Sequence, residues 1–115
     1  MRKSRKVIIE RLQSGVPRLD DILGGGIPEY SFNVIAGDPG SGKTTLAHQI
    51  IFANATNQRP AIYFTILGEP ALKMLRYQQQ FTFFDKDKVN KGRSISPISA
   101  SKLWKAISRR FSRAS

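Results

Sequence analysis

An α/β fold with a parallel sheet is the class this sequence predicts, on three observations. A short β-prone run, Ser31–Ala36 (SFNVIA), leads directly into a glycine-rich loop and then into a segment with helical apolar spacing, Lys43–Ala55. A second run, Ala61–Leu67 (AIYFTIL), is nearly all apolar, the pattern of a parallel strand buried on both faces. Gly68-Glu69-Pro70 then opens another helix with proline at its first position, completing the order strand–loop–helix–strand–helix.

Each element has a local reason. The chain starts with a basic arm, Arg2, Lys3, Arg5 and Lys6, followed by no apolar segment of the signal-peptide kind. Gln13–Leu23 (QSGVPRLDDIL) opens with turn residues and continues with Leu19, Ile22 and Leu23 at helical spacing. Asp20 and Asp21 stand early in that turn, where carboxylates suit a helix start. Gly24–Gly26 and Ile27-Pro28 end it. In Lys43–Ala55 the residues Leu46, Ala47, Ile50 and Ile51 make one apolar face, and Thr56–Pro60 is a polar break. After Pro70, Leu72, Leu75 and Gln79 lie along one side of a helix.

Composition narrows the function. There are no cysteines, which excludes disulfides, thiolate metal sites and a thiol nucleophile. His48 is the single histidine and no carboxylates cluster near it, so it reads as a surface or packing residue. No apolar run approaches the length of a membrane span, and the expected location is the cytoplasm. The net charge of +11 is unevenly placed: residues 91–115 hold seven Lys/Arg and no acid.

The stretch GDPGSGKTT, Gly37–Thr45, reads as a phosphate cradle and carries the chemistry. Gly37, Gly42, Lys43 and Thr44 satisfy G-x-x-x-x-G-K-S/T, the Walker A pattern, between an expected strand and an expected helix. Glycines let backbone N–H groups turn inward and approach an anion closely. The helix that follows adds its positive N-terminal end. Lys43 suits β- and γ-phosphates, and the Thr44 hydroxyl suits Mg²⁺. Asp38, Pro39, Gly40 and Ser41 shape the loop between them.

The run SGVPRLDDILGGGIP, followed by a strand and GDPGSGKTTLAHQI, resembles the start of a KaiC-like ATPase of the RecA superfamily. The leading S-G-x-P-x-L-D element separates it from adenylate-kinase-type proteins, which begin almost at the cradle. The resemblance runs from about Val7 through FTFFDKDKV to about Lys91. It implies that residues 1–91 are the N-terminal portion of a RecA-like P-loop core. It also implies ATP and Mg²⁺ as ligands, a Thr45 contact to the α-phosphate, and ring-shaped homo-oligomers with nucleotide at subunit junctions. Clock-related, signalling and DNA-linked ATPases make up the class.

Two departures shape the expectation. The family usually places adjacent glutamates after the second strand, one of which activates the attacking water. Leu67 and Gly68 occupy those positions, with Glu69 one step later. A shifted turn would bring Glu69 to the water as a catalytic group; the same carboxylate also suits a helix start. Further on, no run of four apolar residues ends in aspartate, the residue that holds the Mg²⁺ shell in hydrolytic relatives. The expectation is an incomplete RecA-like core, truncated before that aspartate, that binds ATP with little hydrolysis by itself.

Residues 92–115 (GRSISPISASKLWKAISRRFSRAS) form a basic, serine-rich tail. Ala100, Leu103, Trp104, Ile107, Phe111 and Ala114 share one helical face, with Lys102, Lys105, Arg109, Arg110 and Arg113 mostly opposite. Such a segment suits nucleic acid, an anionic surface or a partner groove, and equally a solvated tail. An altered reading frame is one origin for its abrupt start. Phe81, Phe83 and Phe84 read as packing aromatics. Two other readings stand beside ATP binding: an ATPase completed by other subunits, and a basic interaction module with a vestigial P-loop.

Overall fold

The computed structural model describes residues 7–65, 71–89 and 94–113. The chain divides into two compact units, Met1–Asn54 and Ala55–Ser115. The basic arm and Glu69, together with the start of the helix expected at Gly68-Glu69-Pro70, lie outside the described residues.

The first unit contains β1 (Arg11–Leu12), α1 (Leu19–Ile22), β2 (Ile27–Pro28) and α2 (Lys43–Asn54). β1 and β2 pair antiparallel, Arg11 with Pro28 and Leu12 with Ile27, and Glu29 N–H extends the pairing to the Glu10 carbonyl at 2.9 Å. The glycine triplet makes this possible. Gly24 N–H bonds the Asp21 carbonyl and Gly25 N–H bonds that of Asp20, the Schellman arrangement that closes a helix end. Gly26, at φ +130°, lies so close to β1 that a Cβ there would overlap the Leu12 carbonyl oxygen. Arg11 Nη1 donates to the carbonyls of Leu23 (3.2 Å) and Gly26 (3.1 Å), tying the triplet down.

The segment expected as a strand before the cradle differs. Residues 31–38 have no regular secondary structure, and Phe32 and Val34 are exposed. A strand exists only through a ladder to a neighbour, and no described strand pairs with this segment. The apolar alternation is there; the hydrogen-bond partner is not.

α2 matches the expected helix to within one residue. Its buried side chains are His48 and Phe52, one turn apart, while Leu46, Ala47, Ile50 and Ile51 are half-buried. The helix is apolar around most of its circumference, so spacing alone does not select the covered face. His48 is a packing residue, and burial lowers its pKa below the ordinary 6.5.

The second unit contains β3 (Ala61–Thr65), α3 (Ala71–Gln78), α4 (Lys86–Val89), β4 (Ile95–Ser99) and α5 (Ala100–Arg113). β3 and β4 pair in parallel, from Ala61 with Ile95 to Thr65 with Ser99, and Ala61 N–H bonds the Ser94 carbonyl at 2.6 Å. Ser94 is buried; its N–H reaches the Lys88 carbonyl and its hydroxyl donates to Asn57 Oδ1 at 3.1 Å, so the entry to β4 is pinned. Ile95 and Leu75 supply the apolar core here. Parallel pairing is as expected of β3, but burial on both faces is not. Ile62 is 69 % exposed and Phe64 40 %, because the sheet is two strands wide among the described residues and only one face of β3 is covered.

β4 is absent from the elements that sequence periodicity picks out. Pro97 interrupts it, and proline argues against a central strand. Here Pro97 sits opposite Tyr63 on a strand with one hydrogen-bonded neighbour, where a missing N–H is tolerated. Gln79 lies just past the end of α3 and is exposed, whereas Gln78 is buried. The expected packing aromatics do pack: Phe81 stacks on Phe83 at 5.5 Å and meets Tyr77 edge-on at 6.1 Å. No helix among the described residues is long and apolar enough to cross a membrane.

Candidate nucleotide-binding site

Residues 37–42 turn sharply between the irregular segment and α2. Gly40 and Gly42 adopt φ of +82° and +94°, values that side chains other than glycine rarely take. Gly37 has a different role, since a Cβ there would lie 2.7 Å from Ser41 Oγ, so the loop folds over it. Ser41 N–H bonds the Asp38 carbonyl at 3.1 Å, closing the Asp38-Pro39-Gly40-Ser41 turn. Leu46 N–H bonds the Gly42 carbonyl at 2.9 Å, making Gly42 the residue that caps α2. The amides of Lys43, Thr44 and Thr45 are then the first of the helix, the group that has no intrahelical acceptor.

Lys43 turns its ammonium back over the loop, where it donates to the Gly37 carbonyl. Its charge therefore lies at the loop and not along the helix. Asp38, Pro39, Gly40, Ser41 and Gly42 are exposed, and Thr44 and Thr45 are half-buried in the first turn. The structure thus gathers the whole stretch Gly37–Thr45 at one place, with a cation and a helix N-terminus facing the same turn. Chemically, such an arrangement offers donors to a multiply charged oxyanion, and the one carboxylate within the loop, that of Asp38, is exposed to solvent.

Sequence reading by motif does not single out the residues that fix α2 in place. Gln49 Nε2 donates to the Gly15 carbonyl at 3.1 Å, and Asn54 Nδ2 donates to the Gln13 carbonyl at 2.7 Å. Gly15, at φ +75°, approaches the helix so closely that a Cβ would sit 2.9 Å from that of Ala53. Ser14 is fully buried; its N–H bonds Asp20 Oδ1 at 2.9 Å, and its hydroxyl accepts from Val16 N–H at 3.0 Å. The S-G-V-P element is a clamp on the helix that carries the cradle. The signal for it is the element itself, 23 residues before the loop, together with amides spaced along α2.

The sequence model of the KaiC ATPase family matches residues 12–110, which includes the clamp, the cradle, both parallel strands and most of α5. The chain belongs to the KaiC ATPase family. The KaiC match continues beyond Lys91, where resemblance by motif stops, and takes in β4. Among curated relatives, a UPF0273 protein of Methanopyrus kandleri is 37 % identical over 62 residues, covering 54 % of this chain and 25 % of the relative. A UPF0273 protein of Thermotoga maritima is 40 % identical over 63 residues (55 % and 26 %), and one of Pyrococcus horikoshii is 34 % identical over 82 (71 % and 33 %). The chain spans about a quarter to a third of the length of these relatives. Its α/β architecture with a small, incomplete parallel sheet is that of part of a RecA-like domain, a nucleotide-binding domain of the ATPase type.

The described residues fit the nucleotide better than the metal. The loop supplies glycine-permitted turns, helix-end amides and Lys43 for phosphate. For Mg²⁺ it supplies the Thr44 hydroxyl, and among the described residues no group of three or more His, Asp or Glu side chains comes together to hold a metal ion.

Proposed function

We propose that this chain binds ATP at Gly37–Thr45 and hydrolyses it little or not at all by itself. The observation that carries the reading is the loop geometry: positive φ at Gly40 and Gly42, Gly37 under Ser41, and the Lys43 ammonium held at the loop on the first turn of α2. In this reading the loop amides and Lys43 hold the β- and γ-phosphates, and Thr45 meets the α-phosphate. Thr44 supplies one oxygen to the Mg²⁺ that accompanies the nucleotide. Bound Mg²⁺ would neutralise phosphate charge; the chain's own part is to bind and orient.

Weak turnover is the expectation for these 115 residues taken on their own. No run of four apolar residues after the cradle ends in aspartate, and Leu67 and Gly68 stand where the family usually has adjacent glutamates, with Glu69 one position later. A ring of identical subunits, as in the wider family, would be the way to complete the site.

The test is a thermal melt with and without Mg²⁺–ATP, for the natural chain and for Lys43→Ala. Ligand at 100 times its Kd should add about 2.7 kcal/mol, a rise of several degrees for a domain this small. A rise only in the natural chain supports nucleotide binding at this loop; equal responses in both chains refute it. Phosphate release that Lys43→Ala abolishes, and that grows with protein concentration, would favour the subunit-completed ATPase.

A further inference from the structure

Helix α5 is left over by this reading, and it is unusual in what it leaves uncovered. Every described side chain from Ser101 to Ser112 is exposed. The apolar residues Leu103, Trp104, Ile107 and Phe111 are among them, with Trp104 70 % and Phe111 74 % exposed. At 3.6 residues per turn these four span about 100° of the helix, with Lys102, Lys105 and Arg109 on the opposite side and Arg110 on one flank. The stripe is therefore a continuous apolar face with a cationic back.

The helix also starts deliberately. The Ser99 hydroxyl accepts from Lys102 N–H at 3.4 Å in the N-cap position, directly at the end of β4. The serines on the remaining flank turn inward: Ser108 Oγ donates to the Trp104 carbonyl at 2.8 Å, and Ser112 Oγ to that of Arg109 at 3.2 Å. A helix of 14 residues is marginal in water without a covered face, so an occupant for the stripe would stabilise it.

We propose that α5 lies in the surface of an anionic lipid bilayer, with Leu103, Trp104, Ile107 and Phe111 inserted at the headgroup boundary and the basic residues among the lipid phosphates. Charge selects this occupant. Residues 91–115 contain seven Lys/Arg and no acid, so nothing in the segment offsets attraction to an anionic surface. The pairing of aromatic and aliphatic residues with a Lys/Arg back, at low mean hydropathy, is the composition of interfacial helices. Arg110, on the flank of the stripe, has the length to reach the phosphates while its stem covers apolar surface.

Trp104 is the only tryptophan, so its emission reports on α5 in the full chain. The experiment titrates the protein with vesicles of phosphatidylcholine alone and with vesicles containing an equal part of phosphatidylglycerol. A blue shift and quenching by brominated lipid are expected with the anionic vesicles only. With Trp104 kept as the reporter, Phe111→Ser, at a side chain 74 % exposed, together with Ile107→Ser, at one 40 % exposed, should weaken partitioning by about tenfold or more. The far-UV CD of the variant in buffer checks that the fold is kept. Lys105→Glu with Arg109→Glu lowers the net charge of residues 91–115 from +7 to +3 and should weaken the preference for anionic lipid.

Three results overturn the proposal. The first is the absence of a blue shift with anionic vesicles, including the case where a single-stranded oligonucleotide produces one instead. The second is vesicle binding that the Ser variants leave unchanged, which would be electrostatic adsorption without insertion. The third is a blue shift in buffer that grows with protein concentration and is unaltered by lipid, which would assign the stripe to a second copy of the chain.

Discussion

Replacing Gly15 by alanine tests the clamp on α2 through a single methyl group. The new Cβ would lie 2.9 Å from Ala53 Cβ, a separation at which either the Ser14-Gly15 turn or the helix has to move. Neither partner has a rotamer to escape into. Two costs then add. The backbone at φ +75° is about 1–2 kcal/mol unfavourable for an L-residue, and overpacking of this kind costs about 1–3 kcal/mol. The lower entropy of the unfolded alanine chain returns about 0.4–1 kcal/mol. The net loss is about 1–4.5 kcal/mol, or about five degrees of Tm or more in a domain this small. The steric part can be separated from the dihedral part, because Ala53→Gly removes the opposing carbon at a helix-propensity cost of about 1 kcal/mol. In a urea-unfolding double-mutant cycle, Gly15→Ala with Ala53→Gly should be more stable than the sum of the two single losses by about 1–3 kcal/mol. Additivity within about 0.5 kcal/mol would refute the contact, and with it the claim that the S-G-V-P turn seats directly on the cradle helix.

Three other outcomes are expected. Gly26→Ala should destabilise the first unit by more than about 3 kcal/mol, because its methyl overlaps the Leu12 carbonyl, whereas Gly24→Ala meets nothing within 4 Å and should cost about 1–2 kcal/mol from its φ of +71° alone. Denaturant midpoints of the two variants check the order. The depressed pKa of buried His48 means that the unfolded chain binds the extra proton first on acidification, so this contribution is whole above pH 6.5 and declines below it until the folded-state pKa is passed. Stability measured across that window should fall as the pH is lowered, and the slope should flatten in His48→Gln. Lys43→Ala should abolish the thermal response to Mg²⁺–ATP while leaving the unliganded Tm within about a degree or two, since it donates to an exposed carbonyl in the loop.

The fold class and the turn of the glycine loop were legible because their signals are local. A loop that needs positive φ at Gly40 and Gly42 writes glycine at those positions, and the helix that follows begins at Lys43 as its motif requires. The end of α1 is equally local: the Schellman bonds of Gly24 and Gly25 involve residues within five positions. The amphipathic spacing of Ala100–Arg113 is likewise a property of one segment, and it forms a helix over that range. Even the clamp is written in the sequence, although as a motif without a stated purpose.

Tertiary structure decided the remainder. Ser31–Ala36 and Ile95–Ser99 illustrate the point from opposite sides. The first has strand-like composition and forms no strand; the second carries Pro97 and does. What separates them is the neighbour, since Ala61–Thr65 lies 34 positions from its partner Ile95–Ser99 and the residues between do not announce that register. The covered face of α2, centred on His48 and Phe52, is decided in the same way, because its apolar residues surround the helix and only packing chooses among them. Backbone torsion and hydrogen bonds within one turn are set by adjacent residues, so the sequence determined the Gly37–Gly42 turn and the helix that follows it. Strand pairing and burial are set by whatever surface arrives from elsewhere in the chain, and that was settled only when the chain folded.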